Sequence, residues 1–147
     1  MPEKTKHHVV LGIDFGMRRI GIAVGQIVTQ TATPLTILKA TDGNPRWEDI
    51  EALIQTWNVD GLIVGIPYNM DGSEQTMTHT ARRFTNKLRA RFGLPTYTID
   101  ERLTTIEAKY HQLSSHHVQR KKFTTLDSYA AKIILEQWLR EHSDNDG

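Results

Sequence analysis

Two short apolar runs lie only six residues apart: Val9-Val10-Leu11-Gly12-Ile13 and Ile20-Gly21-Ile22-Ala23-Val24. Each has the length of a β-strand and is too short for a globular helix. The intervening Phe15-Gly16-Met17-Arg18-Arg19 reads as a turn, so the two runs form a hairpin. A third strand is expected around Thr33 to Leu38, with Pro34 confining it to an edge or a strand start, because proline cannot donate to a ladder.

Beyond the hairpin the pattern changes from strands in series to strands alternating with helices. Pro45 to Trp57 has helical spacing through Trp47, Ile50, Leu53, Ile54 and Trp57, with Glu48, Asp49 and Glu51 at the positive end of the helix dipole. Asp60 to Ile66 is a buried strand closed by Pro67, and Asp71-Gly72 marks the next turn. A long helix is expected from about Ser73 to Phe92, with Met77, Ala81, Phe84, Leu88 and Phe92 on one stripe and Gly93 as its stop. Pro95 to Ile99 is a fifth strand. Thr104-Thr105-Ile106-Glu107 fits a capping box and starts a helix. Residues 114–123 form a polar, basic loop, and a last helix runs from about Thr125 to Glu141. The order predicts an α/β fold: a mixed five-stranded sheet, hairpin-connected strands then parallel strands, flanked by helices. The parallel strands share one carboxyl edge, where open sheets of this kind bind ligands.

The 147 residues amount to one ordinary domain, expected as a core of about 8–141 with a flexible tail at 142–147. With 38% apolar and 24% charged residues the chain can build a core, and with no cysteine it has no disulfide, thiolate metal site or thiol nucleophile. Met1 to His8 shows no apolar signal core, and no apolar run approaches the ~18 residues of a membrane helix. A soluble, cytoplasmic protein without membrane attachment is expected. The net charge of +1 conceals segregation: residues 40–80 carry −6 and residues 81–122 carry +7. Such asymmetry suits a polyanionic partner on the basic side, although exposed helices with basic faces give the same tally.

Three acidic positions stand where a binding edge needs them. Asp14 closes the first strand, Asp100-Glu101 closes the strand after the long helix, and Asp127 lies in the first turn of the last helix. Converging carboxylates repel one another unless cations sit between them. Mg²⁺ suits such a set, since it takes a few carboxylates, keeps waters and draws on substrate phosphate. Two ions about 3.5–4 Å apart can activate a water and stabilise the leaving oxygen of a phosphodiester. Each acid has a plainer role too: Asp14 as a turn former, Asp127 as a helix-dipole acid. Asp100 and Glu101 point to opposite faces by strand alternation, so one of them joins the cluster, and alternation does not say which.

Four blocks of the chain resemble the YqgF/RuvX family of RNase H-like proteins, described as Holliday junction resolvases and pre-16S rRNA processing nucleases. They are Leu11-Gly12-Ile13-Asp14-Phe15-Gly16 with Arg19 to Val24, Val64-Gly65-Ile66-Pro67 with Asn69 to Ser73, Asp100 to Thr105 with Glu107-Ala108, and Asp127-Ser128 with Ala130-Ala131 and Ile134-Leu135. They occur in order over about residues 9–141, and the third is the most specific. The resemblance implies an RNase H-like fold, with Asp14, Glu101 and Asp127 matching the family's acidic triad. It thereby selects Glu101 over Asp100. It also implies divalent metal, Mg²⁺ or Mn²⁺, held by those acids, and phosphodiester cleavage by a metal-bound water. The chain departs from the family where Gly25-Gln26 replaces a frequent acid. It also offers only Asp127 near the start of the last helix, where RuvC resolvases have more.

Arg18 and Arg19 flank the proposed edge, and Arg120, Lys121 and Lys122 lead into the helix of Asp127; these are the candidate nucleic-acid contacts. Arg82, Arg83, Lys87, Arg89 and Arg91 read as the solvated face of the long helix, and Arg102 as either a brace or a surface ion pair. The seven histidines show no metal-ligand spacing. Asn69 and Asp71 are turn formers first, and the three tryptophans belong to the core. The expected partner is structured RNA or branched DNA, bound by a monomer or homodimer. Two other functions compete. One is a non-catalytic RNA- or ribosome-associated factor on the same fold. The other is an ATPase or sugar kinase suggested by Gly12-Ile13-Asp14-Phe15-Gly16, for which the chain lacks a second phosphate loop.

Overall fold

The computed structural model describes residues 7–104 and 122–145, the side chains of 122–127 and 143–145 excepted. The hairpin forms as its apolar runs require: β1 (Val9–Asp14) pairs antiparallel with β2 (Arg19–Gln26), and β2 with β3 (Thr31–Thr41). β3 is longer than its apolar centre suggests. Its pairing shifts register between Ile22 and Ala23 of β2, opposite Pro34. A bulge there accommodates a residue without an N–H.

The sheet has six strands, not five. The sixth is a two-residue strand, β4 (Asn44–Pro45), that folds back on Ala40 and Thr41 of β3. Its turn places Asp42 and Gly43 at positive φ. No apolar run announces so short a piece, and Pro45 ends up in it instead of opening a helix. The following helix α1 (Trp47–Trp57) therefore starts two residues later than expected. Then come β5 (Gly61–Ile66), helix α2 (Thr76–Phe92) and β6 (Thr96–Asp100), with a single 3₁₀ turn at Glu101–Leu103. The order across the sheet is β4-β3-β2-β1-β5-β6, and β1, β5 and β6 are mutually parallel.

Gly93 closes α2 at φ 64°, the left-handed geometry a glycine stop supplies. The start of α2 is delayed to Thr76 because residues 69–73 are held in a turn. Asp71 accepts from the Ser73 N–H at 2.9 Å and the Ser73 hydroxyl at 2.6 Å, and the Asn69 N–H donates to the Ser73 carbonyl at 2.9 Å. Asn69 and Asp71 are turn formers, as their residue types predict. Buried Thr78 ties this loop to the helix, donating to the Pro67 carbonyl and accepting from the Gln75 N–H.

The last helix, α3 (Lys122–Asn145), exceeds the expected span at both ends. Lys122 belongs to the helix and not to a loop, since no Gly or Pro lies between it and Thr125 to stop the helix. At the other end, His142 does not fray into a tail: it stacks on Trp138 at 4.1 Å and bonds the Trp138 carbonyl at 2.9 Å. The helix expected from Thr104 and the rest of the basic loop, His116 and His117 included, lie outside the described residues. Thr104 itself closes the 3₁₀ turn, donating its hydroxyl to the Glu101 carbonyl at 2.7 Å.

Two cores sandwich the sheet. Leu11, Ile13, Ile20, Ile22, Leu62 and Val64 face α1 and α2, meeting Ile50, Phe84 and Leu88. Val10, Ala23, Ile63 and Ile99 face α3, meeting Ala131, Ile134, Leu135 and Trp138. Trp47 and Trp57 pack against the first core and Trp138 is buried in the second, so all three tryptophans are structural. Among the described residues no helix is long and apolar enough to cross a membrane.

Candidate functional site

The site begins with two glycines on the α3 side of the sheet. A Cβ at Gly12 would clash with Leu135 Cγ and lie 2.9 Å from the Ala131 carbonyl oxygen, so the helix backbone rides directly on β1. A Cβ at Gly65 would lie 2.6 Å from Ile134 Cδ1 and 2.9 Å from Glu101 Oε2. The space that a side chain would fill at Gly65 is thus occupied by the Glu101 carboxylate. Asp14 stands two residues after Gly12 on β1, and strand alternation puts it on the same face. The β1–β5 register pairs Ile13 with Val64, so Asp14 lies beside Gly65 one strand away. Adjacent strands are about 4.7–4.9 Å apart, which brings both carboxylates to one end of the sheet.

Helix α3 delivers the third acid to that same end. Trp138 lies against His7 and Tyr97 near the amino ends of β1 and β6, whereas Ala131 and Ile134 lie over Gly12 and Gly65. The helix therefore runs antiparallel to β1, with its N-terminal turns heading toward the carboxyl edge. Asp127 precedes Ala131 by one turn, toward the helix end that heads for the carboxyl edge. Its backbone is described and its side chain is not. Among the described residues no group of three His, Asp or Glu side chains could hold an ion.

Asp100 and Glu101 are separated as alternation requires. Arg102 engages Asp100 from its backbone N–H at 2.8 Å, from Nε at 3.1 and 3.2 Å and from Nη2 at 2.7 Å. Those bonds hold the Asp100 carboxyl below its ordinary range. Arg102 also lies 5.5 Å from the Tyr68 ring centroid and over Gly72, whose φ is 91°. It braces the 68–72 loop through Asp100. Glu101 has the opposite environment: burial, and then the charge of Asp100, push its carboxyl up to about 7. A half-buried carboxyl held above its ordinary range and lying over Gly65, beside the strand end of Asp14, suits a cation. All-oxygen ligands suit a hard ion such as Mg²⁺ or Mn²⁺.

Of the basic candidates, Arg18 is exposed in the β1–β2 turn and Arg19 exposed at the first position of β2, both at the carboxyl edge. Arg120 and Lys121 lie outside the described residues. Lys122 is the first residue of α3, and its side chain is not described. Sequence reasoning missed the two glycines. Their signal was present as Gly12 and Gly65 inside otherwise β-branched and aliphatic strands, where a glycine marks close approach of another group.

The family whose description reads "RuvX: Holliday junction resolvase" matches residues 8–141. The chain belongs to the RuvX family. A relative from Coxiella burnetii named "Putative pre-16S rRNA nuclease" is 58% identical over 136 residues, covering 92% of this chain and 95% of the relative. Relatives of the same name from Nitrosococcus oceani and Pseudomonas aeruginosa are 50% and 46% identical, each covering more than nine-tenths of both chains. Among solved structures, Thermus thermophilus RuvC in complex with a Holliday junction substrate superposes with a TM-score of 0.56 at 15% identity, covering 92% of this chain and 96% of that one. That likeness bears out the expected RNase H-like fold. RuvX membership also leaves the sugar-kinase reading without support.

Proposed function

We propose that this RuvX protein is a metal-dependent endonuclease that hydrolyses phosphodiester bonds in structured nucleic acid. Asp14, Glu101 and Asp127 are its catalytic acids. The observation that carries the reading is the Glu101 carboxylate lying over Gly65, beside the strand end of Asp14. This is an arrangement that costs stability unless it is used. The three acids would hold one or two divalent ions, which when bound supply an activated water and stabilise the leaving oxygen. The chain's own contribution is to fix the acids on rigid elements. β1 carries Asp14, the 3₁₀ turn braced by Arg102 and Thr104 holds Glu101, and α3, seated on Gly12, carries Asp127. Arg18 and Arg19 at the same edge, and Arg120, Lys121 and Lys122 near the start of α3, meet phosphates flanking the cut.

The shared name of relatives at 46–58% identity favours the 5′ end of precursor 16S rRNA as substrate, processed in the cytoplasm. A four-way DNA junction is the second reading, favoured by the family's description. The test offers purified protein both labelled substrates with Mn²⁺ or Mg²⁺. Cutting of the RNA alone supports the first reading, and cutting of the junction alone supports the second. Binding without any cutting by the wild type supports a non-catalytic binding factor.

A further inference from the structure

Helix α2 carries five cations, and the structure sorts them. Arg82 is bonded to Glu74 at 2.7 Å and to the Tyr68 hydroxyl at 3.0 Å. Arg89 donates to the Thr96 carbonyl at 3.0 Å, fastening α2 to the start of β6. Arg91 lies 4.7 Å from the Trp47 ring centroid. Those three are structural. Arg83 and Lys87 are exposed and have only neutral partners, Thr80 Oγ at 3.4 Å and Asn44 Oδ1 at 3.1 Å respectively. They stand four residues apart, one turn along the same helix face, a like-charge spacing that costs a few tenths of a kcal/mol. No carboxylate of the described residues forms an ion pair with either.

Both line one cleft of about 140 Å³. It is also lined by Phe15 and Met17, which follow Asp14 in the β1–β2 turn, and by the Asp42–Gly43 turn between β3 and β4. That turn is closed onto the β1–β2 turn by the Gly43 N–H bonding the Met17 carbonyl at 2.9 Å. Thr80 adds a hydroxyl to the wall, and Asp42 is the lining's one acid against two cations. The cleft therefore lies beside the β1–β2 turn at the carboxyl edge, its Phe15 adjoining Asp14 in the chain, on the opposite face of the sheet from Glu101. A strand crossing the edge at the acids would pass over it.

We infer that this cleft seats a backbone phosphate of the substrate strand other than the one being cut, between the Arg83 guanidinium and the Lys87 ammonium. The inference deepens the nuclease reading and rests on it for the direction of the strand. It makes Arg83 and Lys87 positioning residues: they hold register and touch no reacting atom.

The test compares Arg83→Gln/Lys87→Gln with Arg91→Gln, which removes a charge from the same helix away from the cleft. Binding is measured in an Asp14→Asn background, with a labelled precursor 16S rRNA 5′ fragment and a labelled four-way DNA junction as probes. The double variant should bind the preferred probe about tenfold more weakly, and its log–log salt slope should fall by about 1–2, one phosphate's worth or slightly more. Arg91→Gln should change affinity less than about twofold, because its cation is spent on Trp47. In the otherwise wild-type enzyme the double variant should raise KM and leave kcat unchanged. Equal affinity and equal salt slope in the two variants would overturn the cleft, as would failure of the Asp14→Asn protein to bind either probe. Weakened binding by a protein that never cuts would overturn the nuclease reading and leave the cleft standing.

Discussion

Glu101 is the residue on which the proposed chemistry turns, and its environment makes a prediction about metal-free protein. Its carboxyl is raised from 4.5 to about 7, chiefly by burial and then by Asp100. Between those values the folded state binds the proton more tightly than the unfolded chain, so stability falls as pH rises. The contribution is fully present below about 4.5 and is lost above about 7. In EDTA, unfolding free energy should drop by about 1–3 kcal/mol across that window. Glu101→Gln should flatten that drop; a slope unchanged in the variant would contradict the assignment. Asp100 acts in the opposite sense, because Arg102 lowers its pKa: its contribution is lost as pH falls below about 4, outside the Glu101 window. Gly65→Ala tests the same carboxylate sterically. The new methyl meets Glu101 Oε2 and Ile134 Cδ1, both ends of flexible side chains, so the fold should lose only about 1–2 kcal/mol. Cleavage should fall at least about tenfold as Glu101 is displaced, since a misplacement of about 1 Å can cost 10²-fold. Retained cleavage would show that the carboxylate need not sit over Gly65.

At the scale of elements, the site depends on how α3 lies on the sheet. Gly12 is the contact that sets it, because one of the atoms an added Cβ would meet is the Ala131 carbonyl, which is backbone and cannot rotate away. Gly12→Ala should therefore cost more than Gly65→Ala, about 2–3 kcal/mol in denaturant unfolding. Equal costs would mean that the helix shifts freely over β1. The elements were largely legible in the sequence, because the hairpin's continuous apolar runs have strand length and the 3.6-residue period is clean in α1 and in α2. What escaped had physical reasons. β4 is two residues long and has no apolar run. The late start of α2 follows from the hydrogen bonds of Asn69, Asp71 and Ser73, which compete with helix formation. The extension of α3 to Asn145 draws on His142 stacking against Trp138, a contact no periodicity discloses.

At the scale of the whole molecule, Asp14 and Glu101 come to one edge because the parallel strands end there, and α3 runs back toward the same edge. That much could be anticipated from the strand order. The choice of Glu101 over Asp100 could not be made from alternation. It came first from resemblance, and the structure supplies a physical counterpart: Asp100 is occupied by Arg102, while Glu101 lies over Gly65. The pairing of Arg83 with Lys87 was equally hidden, because it needs the β3–β4 turn folded against α2. The proposed ligand set also predicts a response of the whole fold to cations. Mg²⁺ or Mn²⁺ at a hundred times its dissociation constant should stabilise the protein by about 2.7 kcal/mol, a rise of several degrees in Tm. Asp14→Asn should diminish that rise, and an identical metal response in the variant would remove Asp14 from the ligand set.

Cleavage itself tests the metal-dependent nuclease most directly. Wild-type protein, Asp14→Asn and Glu101→Gln would be incubated with Mn²⁺ or Mg²⁺ and labelled precursor 16S rRNA, with a four-way DNA junction alongside. The expected result is metal-dependent cutting by the wild type and its loss in both variants, with folding and nucleic-acid binding kept. Cutting that survives in either variant, or wild-type protein that binds and never cuts, would contradict it.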